Sequence, residues 1–282
     1  MRKILLTGAT GFLGKQILNQ LDNQEVSIRV ISRSKQEDFF SNYKKVTEII
    51  ETKNFFNESN DIYKQICEGV DTVIHVAWYA EPGKYLESPI NLECLSGTLN
   101  FAQAASQQGV RKFVGVGTCF EYDLTSSKPL GINDPLNPLF LYSEAKTAAF
   151  KILSRFFESE DIDFLWTRVF YLFGEGEDER RLVAALRSKL AIGEPIDLTS
   201  GNQIRDFMDV KDAGALIADA SLGLNVGPFN VCSGKEISIK ELAEEIADEY
   251  GKRDLLNFGA REENLSDASY VVGIKSEVIP FK

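Results

Sequence analysis

The stretch Thr7-Gly8-Ala9-Thr10-Gly11-Phe12-Leu13-Gly14 decides the fold that the sequence predicts. A short apolar run from Lys3 to Thr7 leads into it, and a helix-like apolar pattern from Phe12 to Leu21 follows. A strand that turns through closely spaced glycines into a helix is typical of a Rossmann unit, which binds a dinucleotide. The alternative is an ordinary glycine-rich turn, and the flanking strand and helix count against it.

Each glycine of this loop has a predicted role. Gly8 allows a tight turn, Gly11 lets the backbone approach a pyrophosphate, and Gly14 permits close packing of the helix. The free N–H groups of the helix N-terminus face the same anion. The residues that we expect to bind the cofactor here are Gly8, Thr10, Gly11, Phe12, Leu13 and Gly14.

Further apolar runs alternate with helical patterns along the first part of the chain. The runs lie at Val26 to Ile31, Asp71 to Ala77 and Arg111 to Gly117, and Leu92 to Gln107 has helical spacing. Runs that are apolar on both faces are typical of central strands in a parallel sheet covered by helices. The pattern therefore predicts an α/β fold with a doubly wound, parallel Rossmann sheet.

The alternation of strand and helix patterns ends after Arg168, where a loop rich in Gly and Glu follows. We expect residues 1–168 to form an NADP-binding Rossmann domain. Residues 169–282 are expected to form mainly a smaller C-terminal α/β substrate lobe, with some segments returning to the Rossmann domain. That lobe has strand candidates near Ile196, Phe207 and Phe229, and an amphipathic helix pattern from Ile239 to Tyr250.

Composition excludes several classes of function. The net charge of −11 argues against nucleic acid and anionic lipid as partners. Four scattered cysteines and one histidine predict neither a disulfide scaffold nor a metal site, so His75 is expected to be a packed strand-end residue. The chain starts without a secretory leader pattern and has no apolar run long enough for a membrane helix, which predicts a cytoplasmic protein.

The end of the second predicted strand indicates which dinucleotide is bound. NAD-selective folds place a carboxylate there against the ribose 2′-hydroxyl, but this chain has Ser32 and Arg33. A hydroxyl followed by a guanidinium suits a 2′-phosphate, which predicts that NADP(H) is preferred and leaves NAD(H) as the alternative. A solvated basic turn is the other interpretation of these two residues.

Three residues form the predicted catalytic group. Tyr142 and Lys146 lie four apart at the start of a probable helix, so the phenol and the ammonium share one helical face. A nearby positive charge favours phenolate and prepares a tyrosine for proton transfer. Thr118 stands at a strand end, where its hydroxyl can hold a substrate oxygen. The Tyr/Lys spacing alone is common on surface helices. The glycine loop earlier in the chain is what favours a catalytic role for these two residues.

Together these motifs resemble the extended short-chain dehydrogenase/reductase family, the group of nucleotide-sugar epimerases, dehydratases and reductases. The resemblance covers nearly the whole chain. It includes the stretches Gly97-Thr98-Leu99-Asn100, Gln203-Ile204-Arg205-Asp206-Phe207 and Phe229-Asn230-Val231-Cys232-Ser233-Gly234. It implies that Arg205 contacts the diphosphate of a nucleotide sugar and that the protein is a homodimer. A salt bridge from Arg205 to Asp206 or Asp209 is the alternative.

Departures from the family pattern narrow the expected reaction. Dehydratases of the family carry an Asp-Glu pair directly after the catalytic Thr, and Cys119 and Phe120 stand there instead. Neither can serve as that acid and base, so loss of water is disfavoured and hydride transfer remains. The stretch Gly117 to Tyr122 resembles that of reductases of 4-keto-6-deoxy nucleotide sugars, which supply deoxyhexoses for surface polysaccharides.

The remaining predicted site residues line the cofactor and sugar pockets. Trp78 and Tyr79 replace smaller residues of the family, Tyr171 replaces a usual substrate-binding Asn, and Trp78 has core packing as an alternative role. The further cofactor-binding residues are Asn54, Phe55, Val76, Ala77 and Trp78, with Tyr142 and Lys146. The substrate-binding residues are Trp78, Tyr79, Thr118, Cys119, Phe120, Tyr171 and Arg205.

The sequence thus predicts an oxidoreductase that uses NADPH to reduce a keto group on a nucleotide-linked sugar, a 4-keto-6-deoxyhexose. One alternative is an epimerase that keeps NAD(P) bound and uses the same three residues. A second alternative is a regulator that senses NADP without chemistry, and the Tyr/Lys pair argues against it. The nucleotide, the sugar and the stereochemistry are not predicted.

Overall fold

The computed structural model describes residues 1–264 and 267–281. Its strands are β1 (Arg2–Thr7), β2 (Val26–Ser32), β3 (Val46–Glu51), β4 (Thr72–His75), β5 (Lys112–Thr118), β6 (Asp163–Val169), β7 (Tyr171–Phe173), β8 (Ile196–Leu198), β9 (Ile204–Arg205), β10 (Phe207–Asp209), β11 (Gly227–Val231), β12 (Ile237–Ser238), β13 (Leu256–Phe258) and β14 (Tyr270–Val271). Its α-helices are α1 (Phe12–Leu21), α2 (Glu37–Phe40), α3 (Asn60–Cys67), α4 (Ile90–Gln107), α5 (Leu141–Ser159), α6 (Leu182–Ile192), α7 (Val210–Leu222) and α8 (Ile239–Tyr250).

Seven strands form the main sheet, in the order β11-β6-β5-β4-β1-β2-β3. All neighbouring strands in it are parallel. The predicted Rossmann fold is therefore confirmed. Strands β1, β2 and β3 follow one another toward one edge of the sheet. After a crossover, β4, β5, β6 and β11 follow one another toward the other edge. Ligands of such sheets bind at this switch point, beyond the carboxyl ends of β1 and β4.

Alternation along β1 shows why the sheet is covered on both faces. Ile4 and Leu6 pack on the side of α1 and α7, whereas Leu5 packs on the side of α3, α4 and α5. Successive side chains of a strand point to opposite faces, so a run of three apolar residues contributes to two cores at once. The two layers of helices hold the strand ends, and the loops that follow them, in fixed positions.

The elements after β6 belong to two parts of the structure, a small separate core and the main sheet. Helices α6 and α8 share a small core with β8 and β13. By contrast, α7 packs beside α1, and β11 pairs with β6 at the edge of the main sheet. The strand expected near Phe229 in the smaller lobe thus belongs to the main sheet. None of the described helices has the length and apolarity needed to cross a membrane.

Candidate active site

The glycine loop between β1 and α1 is shaped by close backbone contacts. Gly8 has φ +72°, and a Cβ there would lie 2.8 Å from the N atom of Ala77. A Cβ on Gly14 would lie 2.0 Å from the carbonyl oxygen of Gly8. The protein's own packing thus requires both glycines. No side chain caps the α1 N-terminus at Gly11, which leaves its N–H groups suited to an anion such as a pyrophosphate.

His75 at the end of β4 joins the glycine loop to α4. Its Nδ1 lies 2.9 Å from Oγ1 of Thr7, and its Nε2 lies 2.9 Å from Oγ1 of Thr98. Burial lowers the pKa of His75 to about 3. The neutral ring therefore links three elements and has no nitrogen left for a metal. Among the described residues, no group of three or more His, Cys, Asp or Glu side chains could hold a metal ion.

The expected adenosine side of the cofactor site lies at the ends of β2 and β3. The Oγ atom of Ser32 is buried and has no hydrogen-bond partner among the described residues, while Arg33 is exposed. Asn54 is also exposed. Phe55 differs, because its ring packs against Tyr63 and Phe101 in the core. Any contact of Phe55 with a cofactor is therefore restricted to its main chain.

Thr118, Tyr142 and Lys146 come together in the structure. Thr118 ends β5, and the other two stand on the first turns of α5. The Thr118 hydroxyl is near enough to the phenol of Tyr142 to lower its pKa, although burial has the larger, opposite effect. Lys146 donates from Nζ to the carbonyl oxygen of Val116 at 2.6 Å. The α5 N-terminus is anchored by the N–H of Tyr142, which donates to the carbonyl of Leu86 at 2.8 Å.

The protonation of this group differs from the sequence expectation. Burial raises the pKa of Tyr142, and the neighbouring Tyr85 raises it further. Burial also lowers the pKa of Lys146 to about 7. The expectation that Lys146 shifts Tyr142 toward phenolate is thus wrong for this arrangement, because burial is the largest effect on the phenol and Tyr85, Glu121 and Cys119 act in the same direction. Tyr142 is a neutral phenol, which is the form that donates a proton.

Trp78 lies directly against the catalytic group. Its indole N–H donates to Oδ1 of Asn91 at 2.8 Å, and Nζ of Lys146 lies 3.7 Å from the ring centroid. The ring also meets the edge of Tyr142, with 6.5 Å between centroids. Trp78 is half-buried and packs against the catalytic group, and its binding of cofactor or sugar stays a prediction.

Glu121 is the carboxylate nearest in sequence to Thr118, and it is fully buried. It accepts hydrogen bonds from the N–H of Thr118 at 2.8 Å and from Nε1 of Trp166 at 2.9 Å. It also pairs with Nε of Arg168 at 2.9 Å. The carboxylate is thus committed to three protein donors. It orders the end of β5, and both of its oxygens already accept hydrogen bonds from described residues.

Three further predicted substrate residues are Cys119, Phe120 and Tyr79. Burial raises the pKa of Cys119 to about 12, so this thiol is inert. Phe120 meets the edges of Phe140 and Tyr171, with 6.0 Å between centroids in each pair. The hydroxyl of Tyr79 already has a protein acceptor, since it donates to Glu81 at 3.1 Å.

Arg205 is buried beside Tyr171, with its guanidinium carbon 5.4 Å from that ring's centroid. It forms a salt bridge of 2.6 Å with Asp267. The alternative pairing with Asp206 or Asp209 is therefore wrong. The carboxylate of Asp206 instead accepts hydrogen bonds from the backbone of Ser233, Gly234 and Gly273. That of Asp209 caps α7.

Tyr85 is a site residue that the sequence did not identify. Its ring stands edge-on to Tyr142, with 4.8 Å between centroids and an interplanar angle of 87°. Its position depends on the loop after β4, where no spacing rule applies. The only signal in the sequence is the density of aromatic residues between Trp78 and Tyr85.

The sequence of this chain is similar to those of known proteins. The model of the NAD dependent epimerase/dehydratase family matches residues 4–230. The dTDP-6-deoxy-L-talose 4-dehydrogenase (NAD(+)) of Aggregatibacter actinomycetemcomitans is 24% identical over 251 residues, 88% of this chain and 90% of that protein. The UDP-glucuronic acid decarboxylase 1 of Danio rerio is 26% identical over 271 residues, 91% of this chain but only 63% of that longer protein.

Solved structures have the same fold. UDP-N-acetylglucosamine 4-epimerase from Methanobrevibacter ruminantium M1, in complex with UDP-N-acetylmuramic acid, superposes with a TM-score of 0.84 at 23% identity. The match covers 98% of this chain and 90% of that one. The family match spans most of the chain and includes the glycine loop, Thr118 and the Tyr142–Lys146 pair. This chain belongs to the NAD dependent epimerase/dehydratase family, enzymes of the extended short-chain dehydrogenase/reductase type.

Proposed function

We propose that this enzyme reduces a keto group on a nucleotide-linked sugar, with NADPH as cofactor and a 4-keto-6-deoxyhexose as the sugar class. One observation carries the proposal. The site pairs a neutral phenol with a hydroxyl, while the two positions after Thr118 are Cys119 and Phe120, which provide no acid and base for loss of water. A site of this kind supports transfer of one hydride and one proton.

Each residue of the catalytic group has one task. Tyr142 donates its proton to the oxygen of the ketone as that oxygen gains negative charge. Thr118 hydrogen-bonds the same oxygen and fixes it beside the phenol. Lys146 binds the nicotinamide ribose through its ammonium group. When bound, the nicotinamide supplies the hydride, and the phenolate left on Tyr142 takes up a proton from solvent to complete the cycle.

The electrostatic surroundings of Tyr142 support reduction over dehydration. Among the described residues, the titratable groups that act on its pKa are Tyr85, Glu121 and Cys119. Glu121 is the single carboxylate in that set, and it is bound by three protein donors. Removal of a carbon-bound proton requires a free base, and Glu121 does not provide one.

The preference for NADPH rests on the end of β2. The buried hydroxyl of Ser32 has no protein partner among the described residues, and no carboxylate lies within ion-pair distance of Arg33 among them. A 2′-phosphate supplies acceptors to both groups. NADH is the alternative, because the dehydrogenase from Aggregatibacter actinomycetemcomitans carries NAD(+) in its name. Initial rates with NADPH and NADH decide between them, and a clear preference for NADH contradicts the proposal.

The substrate class rests on two observations. A dehydrogenase that acts at carbon 4 of a dTDP-linked 6-deoxy sugar catalyses, in reverse, the reduction proposed here. The rings of Phe120 and Tyr171 pack edge to face, and Arg205 lies over the Tyr171 ring, so an apolar surface and a cation stand side by side, which suits a sugar methyl group and a diphosphate. The nucleotide-sugar substrate is tested with a panel of UDP- and dTDP-linked keto sugars, by loss of the near-ultraviolet absorbance of the reduced nicotinamide.

An epimerase is the second candidate, and the family model and the fold neighbour both carry that activity in their names. It uses Tyr142, Thr118 and Lys146 in the same way but returns the hydride to the same carbon. Stoichiometry separates the two, because a reductase consumes one reduced cofactor for each product. We also retain the homodimer as a prediction, which light scattering of the purified protein tests.

A further inference from the structure

The ammonium group of Lys146 has an unusual set of partners. Within the described chain, it donates one hydrogen bond, to the carbonyl oxygen of Val116, and the face of Trp78 lies 3.7 Å from Nζ. Lys146 is only 3% exposed, so the indole stands where water would otherwise solvate the charge. An aromatic face attracts a cation through its quadrupole, and more strongly where water is excluded.

Hydrogen bonds through Asn91 hold the Trp78 indole in this place. Its N–H donates to Oδ1 of Asn91, a fully buried residue of α4. The side-chain amide of Asn91 in turn donates to the carbonyl oxygens of Tyr85, at 2.6 Å, and Ser88, at 2.9 Å. The orientation of Trp78 is therefore fixed by the fold, and the ring is not a freely rotating surface group.

The other titratable groups around Lys146 come from four elements. Glu121, after β5, and Cys94, on α4, favour its charged form. His75, on β4, is kept neutral in part by Lys146, and the ring centroid of Tyr142, on α5, lies 5.9 Å from Nζ. The charge of Glu121 is already paired with Arg168. Beside the carbonyl oxygen of Val116, the Trp78 ring is thus the cation-favouring group in direct contact with Nζ among the described residues.

We propose that Trp78 is a positioning residue for Lys146, whose indole keeps the ammonium charged and directed at the site of the cofactor ribose. Its value for catalysis rests on the proposed function, in which Lys146 binds that ribose. The contact between Trp78 and Lys146 is present in the protein without cofactor or substrate. It is measured without a substrate, so failure of the proposed function and failure of this inference are distinguishable.

The coupling is tested by fluorine NMR on protein labelled with 5-fluorotryptophan. The chain has two tryptophans, and the resonance missing from Trp78→Phe identifies Trp78. We expect this resonance to shift with pH, with a midpoint near the Lys146 pKa of about 7, and to stop shifting in Lys146→Met. Trp166, whose centroid is 6.0 Å from Nζ, gives a smaller shift. An unchanged titration of Trp78 in Lys146→Met overturns the proposal.

A binding series tests the positioning role. Loss of the aromatic face lowers the pKa of Lys146 further, so less of it is protonated above neutral pH. In Trp78→Leu, the Kd for NADPH should rise by about tenfold at about pH 8 and by much less at about pH 6. Trp78→Phe should keep part of the affinity, since phenylalanine retains a weaker aromatic face. A loss of the same size at both pH values, or equal losses in the two variants, contradicts the role.

Discussion

Two buried polar clusters meet at the end of β5, and their partners differ. The Glu121 cluster consists of Glu121, Trp166, Arg168 and Tyr122, and the catalytic cluster consists of Thr118, Tyr142, Lys146 and Trp78. In the first, every charged group has protein partners: Glu121 accepts from Thr118, Trp166 and Arg168, and Arg168 also donates to Tyr122 at 3.1 Å. In the second, Nζ of Lys146 has one hydrogen-bond acceptor among the described residues, the carbonyl oxygen of Val116, and the nearest aromatic ring is that of Trp78.

The difference teaches how the two clusters divide structure and function. A buried charge with a full set of partners stabilises one conformation and has little capacity left for a ligand. A buried charge with an incomplete set is costly by itself and gains from a ligand that completes it. The fold thus places a stability element and a reactive element one turn apart, with Thr118 contacting both. Substitutions in the Glu121 cluster should therefore lower stability, and those in the catalytic cluster should lower activity.

The largest expected effect is on catalysis. Replacing Tyr142→Phe removes the proton donor, and general acid catalysis is worth about 10²–10⁴-fold, so turnover should fall by that factor. The aromatic contact with Tyr85 is kept, so the thermal midpoint and the Kd for NADPH should change little. Steady-state rates and a cofactor titration on the same preparation check this. Substantial remaining turnover would show that another group donates the proton.

The next effect is on stability. Replacing Arg168→Met leaves the carboxylate of Glu121 buried without its cation, a change that costs about 3–5 kcal/mol in other buried ion pairs. Denaturant unfolding should show this loss in the free energy of unfolding. The matched control is Glu121→Gln with Arg168→Met, which removes both charges and should recover part of it. If the single variant unfolds like the parent, the Glu121 cluster is not the stability element.

A substitution of the Thr118 side chain should have a smaller effect, and it should fall on the catalytic cluster. The Thr118 hydroxyl lies near the phenol of Tyr142 and accepts from the N–H of Phe120 at 3.3 Å. The contact of Thr118 with Glu121 is made by the backbone N–H, which a side-chain substitution keeps. Loss of one positioned donor to a developing oxyanion costs about 10²–10³-fold in kcat, so Thr118→Val should lose activity in that range. Thr118→Ser keeps the hydroxyl and serves as the control. Equal activity in Thr118→Val and the parent would remove this residue from the mechanism.

The smallest effect concerns the cofactor. A hydrogen bond to a charged group is worth about 1.5–3 kcal/mol, so Arg33→Ala should raise the KM for NADPH by about tenfold or more. The KM for NADH should hardly change, because the variant removes only the partner of the 2′-phosphate. Lys35→Ala is the matched control, a nearby exposed cation whose one ion pair, with Glu37, is 4.0 Å long. A parallel loss with both cofactors would contradict the assignment of Arg33.

Local sequence signals predicted one part of this molecule well. The glycine loop, the strand runs and the Tyr142–Lys146 spacing depend on neighbours within a few residues, so the Rossmann sheet and the pairing of phenol and ammonium could be predicted from pattern. The α8 pattern from Ile239 to Tyr250 matches the helix observed. These features are fixed by periodicity and turn chemistry.

What the sequence did not predict depends on contacts between distant segments. The β11 strand joins β6 across about 60 residues, Arg205 finds Asp267 rather than its neighbours, and Trp78 covers Lys146 from another loop. The direction of the Tyr142 pKa shift was also missed, because burial is a property of the whole fold. No local pattern contains these distances or the loss of hydration that accompanies them.

The most direct test of the proposed reductase follows the hydride itself. NADPH carrying deuterium at the transferable position is incubated with a nucleotide-linked 4-keto-6-deoxyhexose, and the product is examined by NMR and by cofactor stoichiometry. We predict one NADPH oxidised for each sugar reduced, with deuterium on the new carbinol carbon. Conversion of a nucleotide sugar to its epimer, with no net oxidation of NADPH and no deuterium in the product, would contradict the account.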